Sequence, residues 1–148
     1  MQKNKHKKMR LVVDANAWIS SLMSLRFRFR LAIVFDPAYL LLTSEELFSD
    51  LKRGIQKPKV TKKITPADYE KLVSRLRSAA LFVNVRSVVN VCRDPEDNFL
   101  LALAKDGNAD YLITGDLDLL VMKEFENTKI VSLTDFEKEQ KPEWSAAK

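Results

Sequence analysis

The chain has 148 residues, 46% of them hydrophobic, and a single cysteine, Cys92. That length is one domain with room for a proper core, one cysteine excludes an intrachain disulfide and a cysteine-rich zinc site, and no apolar run nears the roughly 18 residues of a membrane span. The formal charge of +5 comes from the first ten residues, where Lys3, Lys5, Lys7, Lys8 and Arg10 meet no acid; of 25 basic residues this leaves 20 to balance 20 acidic ones.

Met9 to Val13 is predicted to be a strand and Asn16 to Met23 a helix. Arg28 to Phe35 reads as a second helix, stopped near Pro37, and Tyr39 to Thr43 as a strand. Ser44 to Ile55 is helical, with Leu47, Phe48, Leu51 and Ile55 on one face. Pro58 and its lysines form a turn or an arm. Thr65-Pro66-Ala67-Asp68 starts a helix, with an N-cap, proline at the first position and an acid three residues after the cap. That helix runs to about Ser78, and Leu81 to Val85 reads as a strand. Asp94-Pro95-Glu96-Asp97 repeats the same start, with the helix running to Lys105 and Gly107 ending it. Tyr111 to Thr114 and Lys129 to Leu133 are further strands. Thr134-Asp135-Phe136-Glu137 reads as a capping box for a last short helix.

Alternating strands and helices with apolar strand runs imply a mainly parallel sheet of four to five strands, covered by helices on both faces: an α/β/α sandwich. The predicted domain spans residues 9–137. Residues 1–8 read as a basic, solvated tail and 138–148 as a polar one. The basic, polar N-terminus lacks the apolar segment of a signal peptide, which points to the cytoplasm.

Carboxylates recur where apolar runs stop. Asp14 follows Leu11-Val12-Val13, Asp94 and Asp97 precede Phe99 to Ala104, and Asp116 and Asp118 follow Tyr111 to Gly115. In open α/β sheets, ligands gather outside the carboxyl ends of the strands. Acids converging there repel unless a cation sits among them. The competing reading is local: Asp14 binding loop amides, Asp94 and Asp116 capping helices, Asp97 serving as an N3 acid, Asn16 as a cap, and Asp50 as a solvated helix residue. Gly54, Gly107 and Gly115 are scattered, so no phosphate-cradling loop exists. The one histidine, His6, lies in the tail, so a histidine triad or zinc hydrolase lacks material. Carboxylate chemistry with Mg²⁺ or Mn²⁺ remains. Two basic clusters, Arg26, Arg28 and Arg30, then Lys52, Arg53, Lys57, Lys59, Lys62 and Lys63, suit a polyanion or a solvated helix face equally.

Three blocks carry a family resemblance: Val12-Val13-Asp14-Ala15-Asn16, Asp94-Pro95-Glu96-Asp97-Asn98-Phe99, and Ala109-Asp110-Tyr111-Leu112-Ile113-Thr114-Gly115-Asp116-Leu117-Asp118. Together they resemble the PIN domain over about Met9 to Phe136, with closest similarity to toxins related to VapC. The resemblance implies a metal-dependent ribonuclease using Mg²⁺ or Mn²⁺, with Asp14, Asp50, Asp97 and Asp116 as catalytic acids and Asp14, Asp97 and Asp116 as metal ligands. Asn16, Thr114, Asp118 and Asp94 are supporting residues. The second acid is normally Glu; here the frame Asp50-Leu51-Lys52-Arg53-Gly54-Ile55 places Asp there, and Glu46, one helical turn earlier, is the alternative. The resemblance also implies a single-stranded RNA substrate, a cognate antitoxin and a homodimer or higher homo-oligomer, with no membrane. Two rivals stand beside it. One is a PIN fold weakened by Asp50 that only binds RNA or protein. The other is a haloacid-dehalogenase-type phosphatase, which wants Asp where this chain has Asn16.

Overall fold

The computed structural model describes residues 7–140. The strands are β1 (Met9–Val13), β2 (Tyr39–Thr43), β3 (Leu81–Phe82), β4 (Tyr111–Ile113), β5 (Glu124–Phe125) and β6 (Thr128–Val131). They form one sheet in the order β3-β2-β1-β4-β6-β5. Every pairing is parallel except β5 with β6. Leu11, Val12 and Val13 are all buried, as a strand covered on both faces requires.

Among the described residues, eight α-helices connect and cover the strands: α1 (Ala15–Met23), α2 (Leu25–Leu31), α3 (Glu45–Ile55), α4 (Pro58–Thr61), α5 (Pro66–Ala79), α6 (Asn98–Asp106), α7 (Leu117–Leu120) and α8 (Leu133–Gln140). Thr65 caps α5 as its start sequence predicts, its Oγ accepting from Asp68 N at 3.0 Å. Gly54 lets α3 approach α1, because a Cβ there would run into Ile19 Cδ1. Phe136 is fully buried, its ring centroid 5.5 Å from that of Tyr39 and 5.1 Å from that of Tyr111.

Several local expectations need correction. The sheet has six strands because Glu124–Phe125 returns as a two-residue antiparallel edge, too short to show alternation in sequence. Leu81 opens a strand, but only Leu81 and Phe82 pair with β2; Val83 N makes the last bond to it, to Thr43 O at 2.9 Å. The second predicted helix is two pieces, α2 and a 3-10 turn at Ala32–Phe35. Of the turn or arm expected at Pro58, the structure shows the turn, a single helical one. The last helix is capped by Ser132, whose Oγ accepts from Asp135 N at 3.1 Å, and not by Thr134. Lys138 to Gln140, expected in the polar tail, belong to α8, and Tyr111 and Tyr39 donate to Glu139 and Gln140 at 2.7 and 2.9 Å. Most of the expected basic tail, with His6, and residues 141–148 lie outside the described residues.

The topology places the site. From β1 the chain steps to β2 and β3 on one side, then returns to β4 and β6 on the other. The order reverses between β1 and β4, which opens a crevice at their carboxyl ends. Val13 pairs with Ile113, and Ile113 with Val131. The next residues, Asp14 and Thr114, therefore stand side by side at one edge, tied by Asp14 N to Ile113 O at 3.0 Å and Thr114 N to Val131 O at 2.9 Å.

Candidate metal centre

Asp14 is the N-cap of α1, with one oxygen accepting from Asn16 N at 3.1 Å. Its other oxygen accepts from Thr114 Oγ at 2.7 Å. The same Thr114 hydroxyl accepts from Asp116 N at 3.0 Å. One threonine thus fixes both acids across the reversal point. Asp14 is only 3% exposed, and burial pushes its carboxyl above the ordinary value. The bonds from Thr114 and Asn16 oppose that rise, while the charges of Asp116 and Asp50 add to it.

Asp116 caps α7, accepting from Asp118 N at 2.9 Å. Asp94 caps a 3-10 turn, Pro95–Asp97, that leads into α6, and accepts from Glu96 N at 3.1 Å. The turn brings Asp97 onto the same edge. Asp94, Asp97 and Asp116 each offer one carboxylate oxygen, and the three oxygens lie within 4.8 Å of one another. Asp97 Oδ2 is buried without any hydrogen-bond partner. Burial, a carboxyl–carboxyl contact with Asp116, and the charges of Asp116, Asp94 and Asp14 push Asp97 up to about 8. Without a cation this carboxyl holds its proton at neutral pH.

The remaining acids differ. Asp50 reaches the site closely enough for its charge to act on Asp14, but it also accepts from Arg53 Nη2 at 2.7 Å. Glu46 sits on the exposed side of α3. Asp118 turns outward to Arg93, which donates from Nε at 3.0 Å and Nη2 at 2.9 Å. The structure thus draws Asp94, Asp97 and Asp116 together with Asp14 behind them, and leaves Asp118 and Glu46 outside. Sequence reasoning missed the pairing of Arg53 with Asp50 and of Arg93 with Asp118. The i,i+3 spacing of Asp50 and Arg53 carries a signal for the first; Arg93 and Asp118 are 25 positions apart and give none.

The expected basic clusters are partly spent within the fold. Arg28 donates to Ser21 O at 2.8 Å, and Arg30 binds Glu137 at 2.8 Å. Lys52, Lys57, Lys59, Lys62 and Lys63 are exposed.

The donor set suits a hard divalent cation: all oxygen, anionic, and including a buried oxygen with nothing else to bind. The model of the PIN domain family matches residues 10–118, a span holding Asp14, Asp50, Asp97 and Asp116, and the chain belongs to that family. PIN domains are typically nucleases and usually bind a divalent metal. The chain is also similar to an uncharacterized protein of Methanocaldococcus jannaschii, 27% identical over 128 residues, covering 84% of this chain and 81% of that protein. No solved structure matches the chain significantly. Among the described residues no helix is long and apolar enough to cross a membrane.

Proposed function

We propose that the protein is a Mg²⁺- or Mn²⁺-dependent endoribonuclease that cuts single-stranded RNA. The observation that carries this reading is the cluster of Asp94, Asp97 and Asp116, with one carboxylate oxygen of each within 4.8 Å of the others, together with the buried Asp97 Oδ2 that has no hydrogen-bond partner. Asp97 and Asp116, with Asp94, would hold the ion, and Asp14 would complete the site from the neighbouring strand. A bound divalent ion supplies positive charge to the phosphodiester oxygens and makes water acidic enough to attack near neutral pH. The protein's own groups supply position and proton transfer. Thr114 holds Asp14 and the Asp116 backbone in one arrangement. Asp14, held by Thr114 Oγ and Asn16 N, would accept a proton from the attacking water. Asp50 would serve as the second acid, paired with Arg53 at 2.7 Å.

The test is cleavage of a mixed single-stranded RNA pool with and without metal. Asp116→Asn lowers the rate at least about a hundredfold, about 2.7 kcal/mol of transition-state stabilisation. Cleavage that persists in excess EDTA rules the mechanism out. The Arg53 pairing favours one rival: a PIN fold whose second acid is neutralised and which only binds. RNA binding without metal-dependent cleavage supports that rival.

Within the same reading the protein acts in the cytoplasm as the toxin of a toxin–antitoxin pair, as a homodimer or higher homo-oligomer. The resemblance of the three sequence blocks to toxins related to VapC is what supports this role. Expression of the wild type then arrests growth, and Asp116→Asn does not. A small neighbouring reading frame with a DNA-binding pattern, whose product relieves the arrest, identifies the antitoxin.

A further inference from the structure

A groove of about 450 Å³ opens beside the acids and runs along the carboxyl ends of β4 and β6. Its near end is formed by Asn16, Thr114 and Asp116, so it is continuous with the candidate metal centre. A Cβ on Gly115 would meet nothing within 4 Å, which leaves this end open. Its size falls in the range of roughly 300–1,000 Å³ usual for small-ligand sites.

The far end is built around two planar groups, Phe27 and Arg30. The Arg30 guanidinium lies 5.9 Å from the Phe27 ring centroid. It is locked there by Glu137 at 2.8 Å and Thr134 Oγ at 3.0 Å. Glu137 cancels the charge of Arg30, so this end is poorly suited to a phosphate. It suits an uncharged planar group that stacks on a ring or a guanidinium. Thr134 Oγ accepts from Arg30, and Ser132 Oγ accepts from Asp135 N. Each hydroxyl keeps its proton to donate, which matches the carbonyl oxygens on a base edge.

We infer that this groove seats a nucleobase of the RNA strand next to the phosphodiester held at the acids, with Phe27 as its stacking platform. The inference rests on the nuclease reading for its substrate, but not for its test.

The test uses the full chain and the four nucleoside 5′-monophosphates, which carry a base and a phosphate but no bond for the site to cut. Binding is followed by calorimetry in Mn²⁺, and KM and kcat are measured on oligoribonucleotides that differ in the bases beside the cut. Phe27→Leu keeps an apolar side chain and removes the ring. It weakens monophosphate binding and raises KM tenfold or more, the scale of losing one base–aromatic stack, while kcat moves less than about threefold. Phe27→Trp keeps the ring and stays near wild type. The control is Phe29→Leu, the same change on the same helix at a residue 88% exposed, and it changes neither quantity. Thermal melts confirm that each variant is folded, and Thr134→Val gives a second, exposed probe that narrows base preference. Wild-type monophosphate affinity in Phe27→Leu overturns the inference, and so does an equal loss in Phe29→Leu. A chain that binds monophosphates through Phe27 but cuts no RNA refutes the nuclease reading and leaves the groove standing. A chain that cuts RNA with Phe27→Leu unchanged refutes the groove alone.

Discussion

Replacing Asp97 with Asn should make the metal-free protein more stable, and increasingly so as pH rises. Asp97 is raised from 3.8 to about 8. In that window the native state keeps a proton that the unfolded chain has lost, so wild-type stability falls as pH climbs from about 4 to about 8. Each pKa unit is about 1.36 kcal/mol, which gives roughly 6 kcal/mol for the whole shift in a dry site. The crevice opens to water on one side, and screening there reduces the gain to roughly 2 kcal/mol. Asparagine cannot ionise, yet its amide can still donate to the Asp116 carboxylate as the protonated acid does. The variant should therefore lose that part of the slope and melt about 8 °C above wild type at pH 8, at about 4 °C per kcal/mol for a domain of this size. The assay is a thermal melt of both proteins in EDTA at pH 5, 6, 7 and 8. Excess Mn²⁺ should reverse the order, because an ion at a hundred times its Kd stabilises by about 2.7 kcal/mol, and the variant has lost a ligand. An Asp97→Asn protein that is less stable than wild type at pH 8 in EDTA, or whose stability falls as steeply with pH, would falsify the account of repelling carboxylates.

Three further outcomes are expected. Asp50→Ala lowers metal-dependent cleavage at least tenfold while Glu46→Ala stays within twofold, and Asp50→Glu retains activity; initial rates settle which residue is the second acid, and the reverse order assigns it to Glu46. Asp14→Asn weakens Mn²⁺ binding in titration calorimetry, and equal affinity in both proteins removes Asp14 from the site. Gly54→Ala drives a methyl into Ile19 Cδ1 and costs about 1–3 kcal/mol in urea unfolding; Ile19→Val, which removes that carbon, recovers most of the loss, and no recovery in the double variant means that α1 and α3 adjust in another way.

The sequence by itself determined what is local. Apolar runs mark β1, β2 and β4, an apolar face marks α3 and the Thr65 cap marks the start of α5, because backbone hydrogen bonding and side-chain periodicity act within a few residues. It also placed Asp14 and Asp116 at strand ends, where an α/β sheet gathers its ligands, and the PIN resemblance on these blocks agrees with the family to which the chain belongs. Where competing local signals were equal, the choice was tertiary. Ser132 caps the last helix because β6 ends at Val131, although Thr134 offers the same chemistry. Likewise only the folded sheet distinguishes the acids. Asp94, Asp97, Asp116 and Asp118 look alike in sequence, yet Asp118 is drawn out by Arg93 and Asp97 is pressed against Asp116. A carboxyl's ionisation depends on burial and on charges a few ångströms away, whatever their distance along the chain. For the same reason the groove between Asp116 and Phe27 has no sequence signature: its walls come from α1, α2, β4 and the start of α8, and they meet only when the sheet brings β4 and β6 side by side.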